Sequence, residues 1–82
     1  MMSSVATVFK VYIENGKEQE VSDSIRKTLN PKAVQIDEVA FGIKVLKVMF
    51  VHEDSEGSTA FEEGLRKIAD VTEVEVEDES LL

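Results

Sequence analysis

Apolar residues recur along this chain with two different periods, and the places where the period changes mark its elements. Val39 to Asp54, VAFGIKVLKVMFVHED, is the most apolar and most β-prone run. Alternation sets Ile43, Val45, Lys47, Met49 and Val51 on one face of a strand and Lys44, Leu46, Val48, Phe50 and His52 on the other. Both faces are largely apolar, so the strand is covered on both sides or lies mid-sheet. A continuous apolar run also suits a buried helix. Three valines and an isoleucine between Gly42 and the polar Asp54-Ser55-Glu56-Gly57 turn favour the strand.

The rest of the chain falls into place around that run. Met1 to Ser4 carry no pattern and are expected to fray. Val5, Thr7, Phe9, Val11 and Ile13 alternate with Ala6, Val8, Lys10 and Tyr12, giving a first strand with one core face and one mixed face. Glu14-Asn15-Gly16-Lys17 is a turn. Asn15 and Glu18 have capping-box spacing, so a helix starts near Lys17. Val21, Ile25 and Leu29 make its narrow apolar stripe, and Asn30-Pro31 ends it. Ala33, Val34 and Ile36 form a short strand that fades into Asp37-Glu38. Val39 to Gly42 is either a hairpin turn or a bulged continuation of that strand. Thr59 and Glu62 form a second capping box, before a helix carrying Phe61, Leu65 and Ile68. Ala60, Gly64 and Ala69 let this helix lie close to a sheet. Gly64 costs roughly 1 kcal/mol against alanine there, and close packing on strands is the expected reason for it. Thr72 to Glu77 alternates as a half-buried edge strand, and Ser80-Leu81-Leu82 is an apolar end.

The order is strand, helix, strand, strand, helix, strand. Two right-handed crossovers around a hairpin give a four-stranded antiparallel sheet with two helices on one face, an α+β, ferredoxin-like β-α-β-β-α-β sandwich. Strands one and three lie centrally in that arrangement. Eighty-two residues make one domain, 1–82, with one modest core.

Composition narrows the function more than the fold. Net charge is −8. A nucleic-acid binder shows a basic footprint, so this balance argues against direct nucleic-acid contact and favours solubility or encounter with a basic partner. There is no cysteine, which suits an intracellular protein and removes disulfides and thiolate metal sites. The N-terminus lacks the charged and apolar regions of a signal peptide, and no apolar run reaches a membrane span.

Candidate chemistry is sparse. Gly16-Lys17 lacks the remainder of a phosphate-cradling loop. His52 is the one histidine, which leaves no transition-metal cluster, and it reads as an exposed or hydrogen-bonded structural residue. The acidic pairs Asp37-Glu38 and Glu62-Glu63 are adjacent in sequence and do not converge as general acid and base. Acylphosphatase-like catalysis on this fold wants an arginine after the first strand, and Glu14-Asn15-Gly16-Lys17 has none. An RNA-recognition sheet wants exposed aromatics in a basic surround; Tyr12 and Phe50 could be placed there, but the charge opposes it. Glu73, Glu75, Glu77, Asp78 and Glu79 either deter edge-to-edge pairing or dock a basic partner. Phe41 is either a core aromatic at a turn or an exposed anchor.

The series VATVFKVYI, an acidic helix, IDEVAFGIKVLKVMFVHED, EGSTAFEEGLRKIADV and VEVEDESLL resembles the guanine-nucleotide-exchange domain of translation elongation factor 1-beta. The likeness is greatest to its short, single-domain archaeal form. No single piece is diagnostic; the order and spacing of all of them carry the resemblance. It implies a cytoplasmic translation factor that binds elongation factor 1-alpha, in its GDP-bound and nucleotide-free states, and promotes exchange of GDP for GTP so that aminoacyl-tRNA can load. No cofactor, membrane or bond-breaking chemistry is implied. Phe41, between Ala40 and Gly42, matches the family's partner-contacting aromatic before glycine. Eukaryotic members place a lysine next to last, at the partner's magnesium site. Leu81 stands at that position here, and Ser80-Leu81-Leu82 contains no base. The resemblance therefore assigns partner contact to Ala40, Phe41 and Gly42 and to Ser80, Leu81 and Leu82, with the two segments deforming the partner's loops. The alternative from another class is a ferredoxin-like module that binds RNA or a small ligand on its open sheet face.

Overall fold

The computed structural model describes residues 3–53 and 57–82. The Asp54-Ser55-Glu56 part of the expected turn, and Met1 and Met2, lie outside them. The run at the centre of the sequence is also central in space. Strand β1 (Ser4–Ile13) pairs antiparallel with β3 (Ile43–Glu53), from Ser4 opposite Glu53 to Tyr12 opposite Val45. Strand β2 (Ala33–Ala40) flanks β3, and β4 (Val71–Leu81) flanks β1, so the sheet order is β2-β3-β1-β4 with every neighbour antiparallel. Helices α1 (Glu18–Leu29) and α2 (Thr59–Arg66) cover one face. This is the α+β, ferredoxin-like arrangement that the order of elements predicts. Of the two readings of the central run, mid-sheet is the one observed.

The helix-side core takes its fully buried residues from every element but β2, whose Val34 packs against it partly buried. Phe9 and Val11 of β1, Leu46, Val48 and Phe50 of β3, Val21 and Ile25 of α1, Leu65 of α2 and Val74 of β4 are all buried in one cluster. Phe50 meets Phe9 edge-on at 5.8 Å and stacks on Phe61 at 4.4 Å. Burying aromatics in these geometries adds to their area term. Phe50 is only 3% exposed on the helix side, so it is absent from the open face, where the RNA reading needs it.

Several local expectations change. Ser4 already belongs to β1, because its register with Glu53 continues the ladder. Neither capping box forms. Lys17 is the N-cap of α1 and Ser58 that of α2, and neither gives a side-chain cap bond. Glu18 instead accepts the Gly16 N–H at 3.1 Å, one residue short of a capping box. Ser22, off the predicted stripe, is buried. Helix α1 does end at Asn30-Pro31, with Asn30 as a left-handed C-cap (φ 50°, ψ 59°). Strand β2 runs on through Asp37-Glu38 to Ala40, with an irregular register between Glu38 and Ala40. Thus Val39-Ala40 is the bulged continuation and Phe41-Gly42 is the turn. Helix α2 stops at Arg66, so Ile68 packs on the core from beyond the helix. Strand β4 continues to Leu81, so the apolar end is part of the sheet. Register shifts facing Val8/Phe9 and Tyr12/Ile13 break its strict alternation.

Arg66 fastens α2 to β4. Its guanidinium donates to a Glu73 carboxylate oxygen at 2.8 Å and to the Val74 carbonyl at 3.0 Å. The Val74 N–H and then the Arg66 side chain hold the Glu73 carboxyl below the usual carboxylate range. Its contribution to stability is therefore present above the unfolded carboxyl pKa and is lost as pH falls through the lower native value.

Gly64 has a different partner from the one expected. A Cβ at Gly64 would lie 2.8 Å from Leu29 Cδ2, so the glycine lets α2 approach α1 rather than a strand. Gly64→Val should lower stability by about 1–3 kcal/mol through overpacking. Denaturant unfolding should show Gly64→Val combined with Leu29→Ala costing less than the sum of the two single changes. An additive result would contradict the contact.

Candidate functional site

The β2–β3 hairpin outruns its neighbours. β1 reaches only as far as Tyr12 opposite Val45, while the hairpin continues through Lys44 and Ile43 to a two-residue turn. Ala40 and Ile43 pair across that turn, and Phe41 (φ 49°) and Gly42 (φ 79°) both have positive φ. Positive φ at both central residues is the signature of a type I′ turn, whose twist matches that of the strands. Glycine suits the second position. The first favours asparagine, aspartate or glycine, and a bulky aromatic there pays a steric penalty.

Phe41 is fully exposed, at 101% of its reference area. Ile36, Val39 and Ile43 on the same hairpin are also exposed. The ring therefore gains no burial to offset its strained backbone. Phe41 thus breaks both the turn rule and the burial rule, with no compensating contact among the described residues.

Ser80, Leu81 and Leu82 are held rather than loose. Leu81 pairs with Val5, Ser80 with Ala6, and the Leu82 N–H donates to the Ser4 carbonyl at 2.9 Å. Their side chains still face solvent, with Leu81 71% and Leu82 73% exposed. Val5 pairs with both His52 and Leu81, so this segment is level with the far end of β3. Ile43 and His52 are nine steps apart on β3, roughly 30 Å at strand rise. The structure thus places Ala40–Gly42 and Ser80–Leu82 at opposite ends of a molecule 44 Å long. It does not bring them together.

Between these ends lies the open sheet face. Lys47 sits near its middle and bridges Glu77 at 3.1 Å and Asp37 at 3.5 Å. The Glu77 hydrogen bond, followed by Asp37, raises the Lys47 pKa. Lys10 lies 5.3 Å from the centre of the Tyr12 ring. The two ion pairs neutralise Lys47 and leave acids along β4, which is poor ground for a phosphate backbone.

On the helix side a cleft of about 350 Å³ is lined by Leu29, Asn30, Lys32, Phe50 and Phe61 among others. Lys32 is the one charged residue in its lining, so it lacks the paired titratable groups of acid–base work. Among the described residues no group of three His, Asp or Glu could hold a metal ion, and no helix is long and apolar enough to cross a membrane. His52 is buried and hydrogen-bonded, with both ring nitrogens engaged. Sequence reasoning missed its partner Thr7, and the Glu79 carboxylate that Thr7 in turn meets, since only the strand registers bring them together.

A β-α-β-β-α-β sheet that carries an exposed aromatic at the tip of a projecting hairpin defines a small α+β domain of the ferredoxin-like class. Residues 7–82 match the EF-1 guanine nucleotide exchange domain model, and the chain belongs to that family. It is 33% identical over 84 residues to elongation factor 1-beta of Halobacterium salinarum, a match covering 94% of this chain and 96% of the relative. It is 41% identical over 46 residues to elongation factor 1-beta of Methanobrevibacter smithii, covering 55% of this chain and 52%, about half, of that relative. The fold is also similar to the solution structure of the ACT domain from GTP pyrophosphokinase of Chlorobium tepidum. That likeness has a TM-score of 0.58 at 20% identity and covers 95% of this chain and 86% of that one.

The strain argument has a direct check. Phe41→Asn should raise stability by about 0.5–1 kcal/mol in denaturant unfolding, because asparagine accepts the left-handed conformation. Gly42→Ala should lower it by about 1 kcal/mol.

Proposed function

We propose that this chain, acting as a single exchange domain over residues 1–82, binds elongation factor 1-alpha and promotes replacement of its GDP by GTP, so that aminoacyl-tRNA can be loaded. The observation that carries this reading is Phe41: an aromatic fully exposed in a left-handed turn at the end of a projecting hairpin. Family membership supplies the direction of its action. The ring and its neighbours Ala40 and Gly42 form one contact. Ser80, Leu81 and Leu82 form the other, roughly 30 Å away by strand rise. An elongated partner surface would have to meet both.

Exchange needs no bond chemistry from this chain, which acts by binding and is not an enzyme. It must bind nucleotide-free elongation factor 1-alpha more tightly than the GDP form. The coupling is reciprocal, so the returning nucleotide expels the factor. With Leu81 where eukaryotic members carry lysine, Ser80–Leu82 contributes apolar contact and no basic side chain. Loosening of the nucleotide then comes from displaced loops of the partner rather than from a base aimed at its magnesium. The reaction belongs in the cytoplasm, where translation runs.

Release of a fluorescent GDP from elongation factor 1-alpha tests the reading. Substoichiometric wild-type protein should accelerate release. Phe41→Ala should weaken the effect about ten-fold or more, as expected for an interface anchor. Phe41→Asn should be the more stable and yet the less active protein. Absence of acceleration by the wild type would overturn the exchange reading; full activity in both variants would overturn the role of Phe41.

A further inference from the structure

Beneath the sheet, a chain of polar groups crosses three strands. The Nδ1 of His52 lies 3.0 Å from the Glu53 carbonyl, and its Nε2 lies 2.9 Å from the Thr7 hydroxyl. The same hydroxyl lies 3.1 Å from a carboxylate oxygen of Glu79. Thr7 and His52 are buried, while Glu79 is exposed. Strand β3 thereby reaches through β1 to the last turn-free stretch of β4, two residues before Leu81.

The three contacts need three protons, and the neutral groups supply two. A carbonyl only accepts, so Nδ1 must carry a proton. The Thr7 hydroxyl has one proton for two neighbours. An ionised Glu79 also only accepts, so it takes the hydroxyl proton, and Nε2 must then donate to the Thr7 oxygen. That is an imidazolium. The equivalent arrangement puts the extra proton on Glu79 and leaves the imidazole neutral. Either way the chain closes only when it holds one proton more than neutral histidine plus carboxylate. We infer that the His52–Thr7–Glu79 chain is a proton-dependent latch that fastens the C-terminal end of β4 to the centre of the sheet.

When that proton leaves, two lone pairs face each other. Thr7 and His52 are enclosed, so the exposed Glu79 carboxylate is the member that turns to water. Among the described residues, the groups around the imidazole leave little else to respond. Strand β1 offers Thr7, and β4 offers Glu79. Helix α2 presents the Phe61 ring, centred 5.4 Å from the imidazole, and its Glu62 is engaged with Arg66 at 3.5 Å. On its own strand Glu53 contributes its carbonyl, and alternation sends its side chain to the other face. The latch concerns the fold of this chain and stands whether or not the exchange reading does. It sets how firmly Ser80–Leu82 is presented to any partner.

His52 is the one histidine, so its ring resonances report its protonation unambiguously by NMR as the pH is stepped. At constant ionic strength, intrinsic-rate-corrected amide exchange at Leu82, whose N–H donates to the Ser4 carbonyl, should rise roughly five-fold as the imidazole loses its proton, the effect of one modest hydrogen bond. Glu79→Gln discriminates the latch from simple packing. A glutamine amide donates to Thr7, which then donates to a neutral His52, so the chain closes without the extra proton. This variant should keep Leu82 protected throughout the titration. Unchanged exchange through the wild-type titration, or the same pH dependence in Glu79→Gln, would overturn the proposal.

Discussion

The antiparallel pairing of β1 with β3 is the constraint from which the rest follows. Its register puts Phe9, Val11, Leu46, Val48 and Phe50 on one side, where α1 and α2 bury them. A slip of one residue would turn that apolar set toward solvent. Because β3 is the longer partner at one end, its hairpin with β2 projects past the sheet. Because β1 also carries β4, the C-terminal residues are fixed at the other end. The separation of the two candidate contacts is thus a consequence of strand length and register.

That frame was readable in the sequence wherever a period of two or of four was unbroken. The alternation of Val5 to Ile13 and the recurrence of Val21, Ile25 and Leu29 reported their buried faces directly. What escaped was set by contacts distant in sequence. Asn15 and Thr59 had capping spacing, yet the chain enters α1 at Lys17, two residues past Asn15, and α2 at Ser58, one residue before Thr59. Gly64 was read as clearance for a strand, when Leu29 of the other helix fills the space. Phe50 lay in a strand apolar on both faces, so alternation could not say which side carried the helices.

The candidate site was legible in part. Phe41 beside Gly42 drew notice as a pair, and the resemblance to the elongation factor 1-beta family gave it a role. Only backbone dihedral angles reveal that the phenylalanine occupies the left-handed position of a type I′ turn, where its ring has no fold-stabilising contact. The tail was read as an apolar end. Sheet pairing to Val5 and Ser4 makes it a presented edge instead. The polar chain below it could not be inferred, since Thr7, His52 and Glu79 become neighbours through two separate strand registers.

In this account a rigid sheet holds two apolar contacts far apart, and binding at both ends distorts the partner's grip on guanine nucleotide. Amide chemical-shift mapping of this chain on complex formation with nucleotide-free elongation factor 1-alpha tests it most directly. Perturbations concentrated at Val39–Ile43 and at Ser80–Leu82, with Lys10, Tyr12 and Lys47 unaffected, are expected. Perturbations centred on those open-face residues, with the hairpin turn silent, would contradict it.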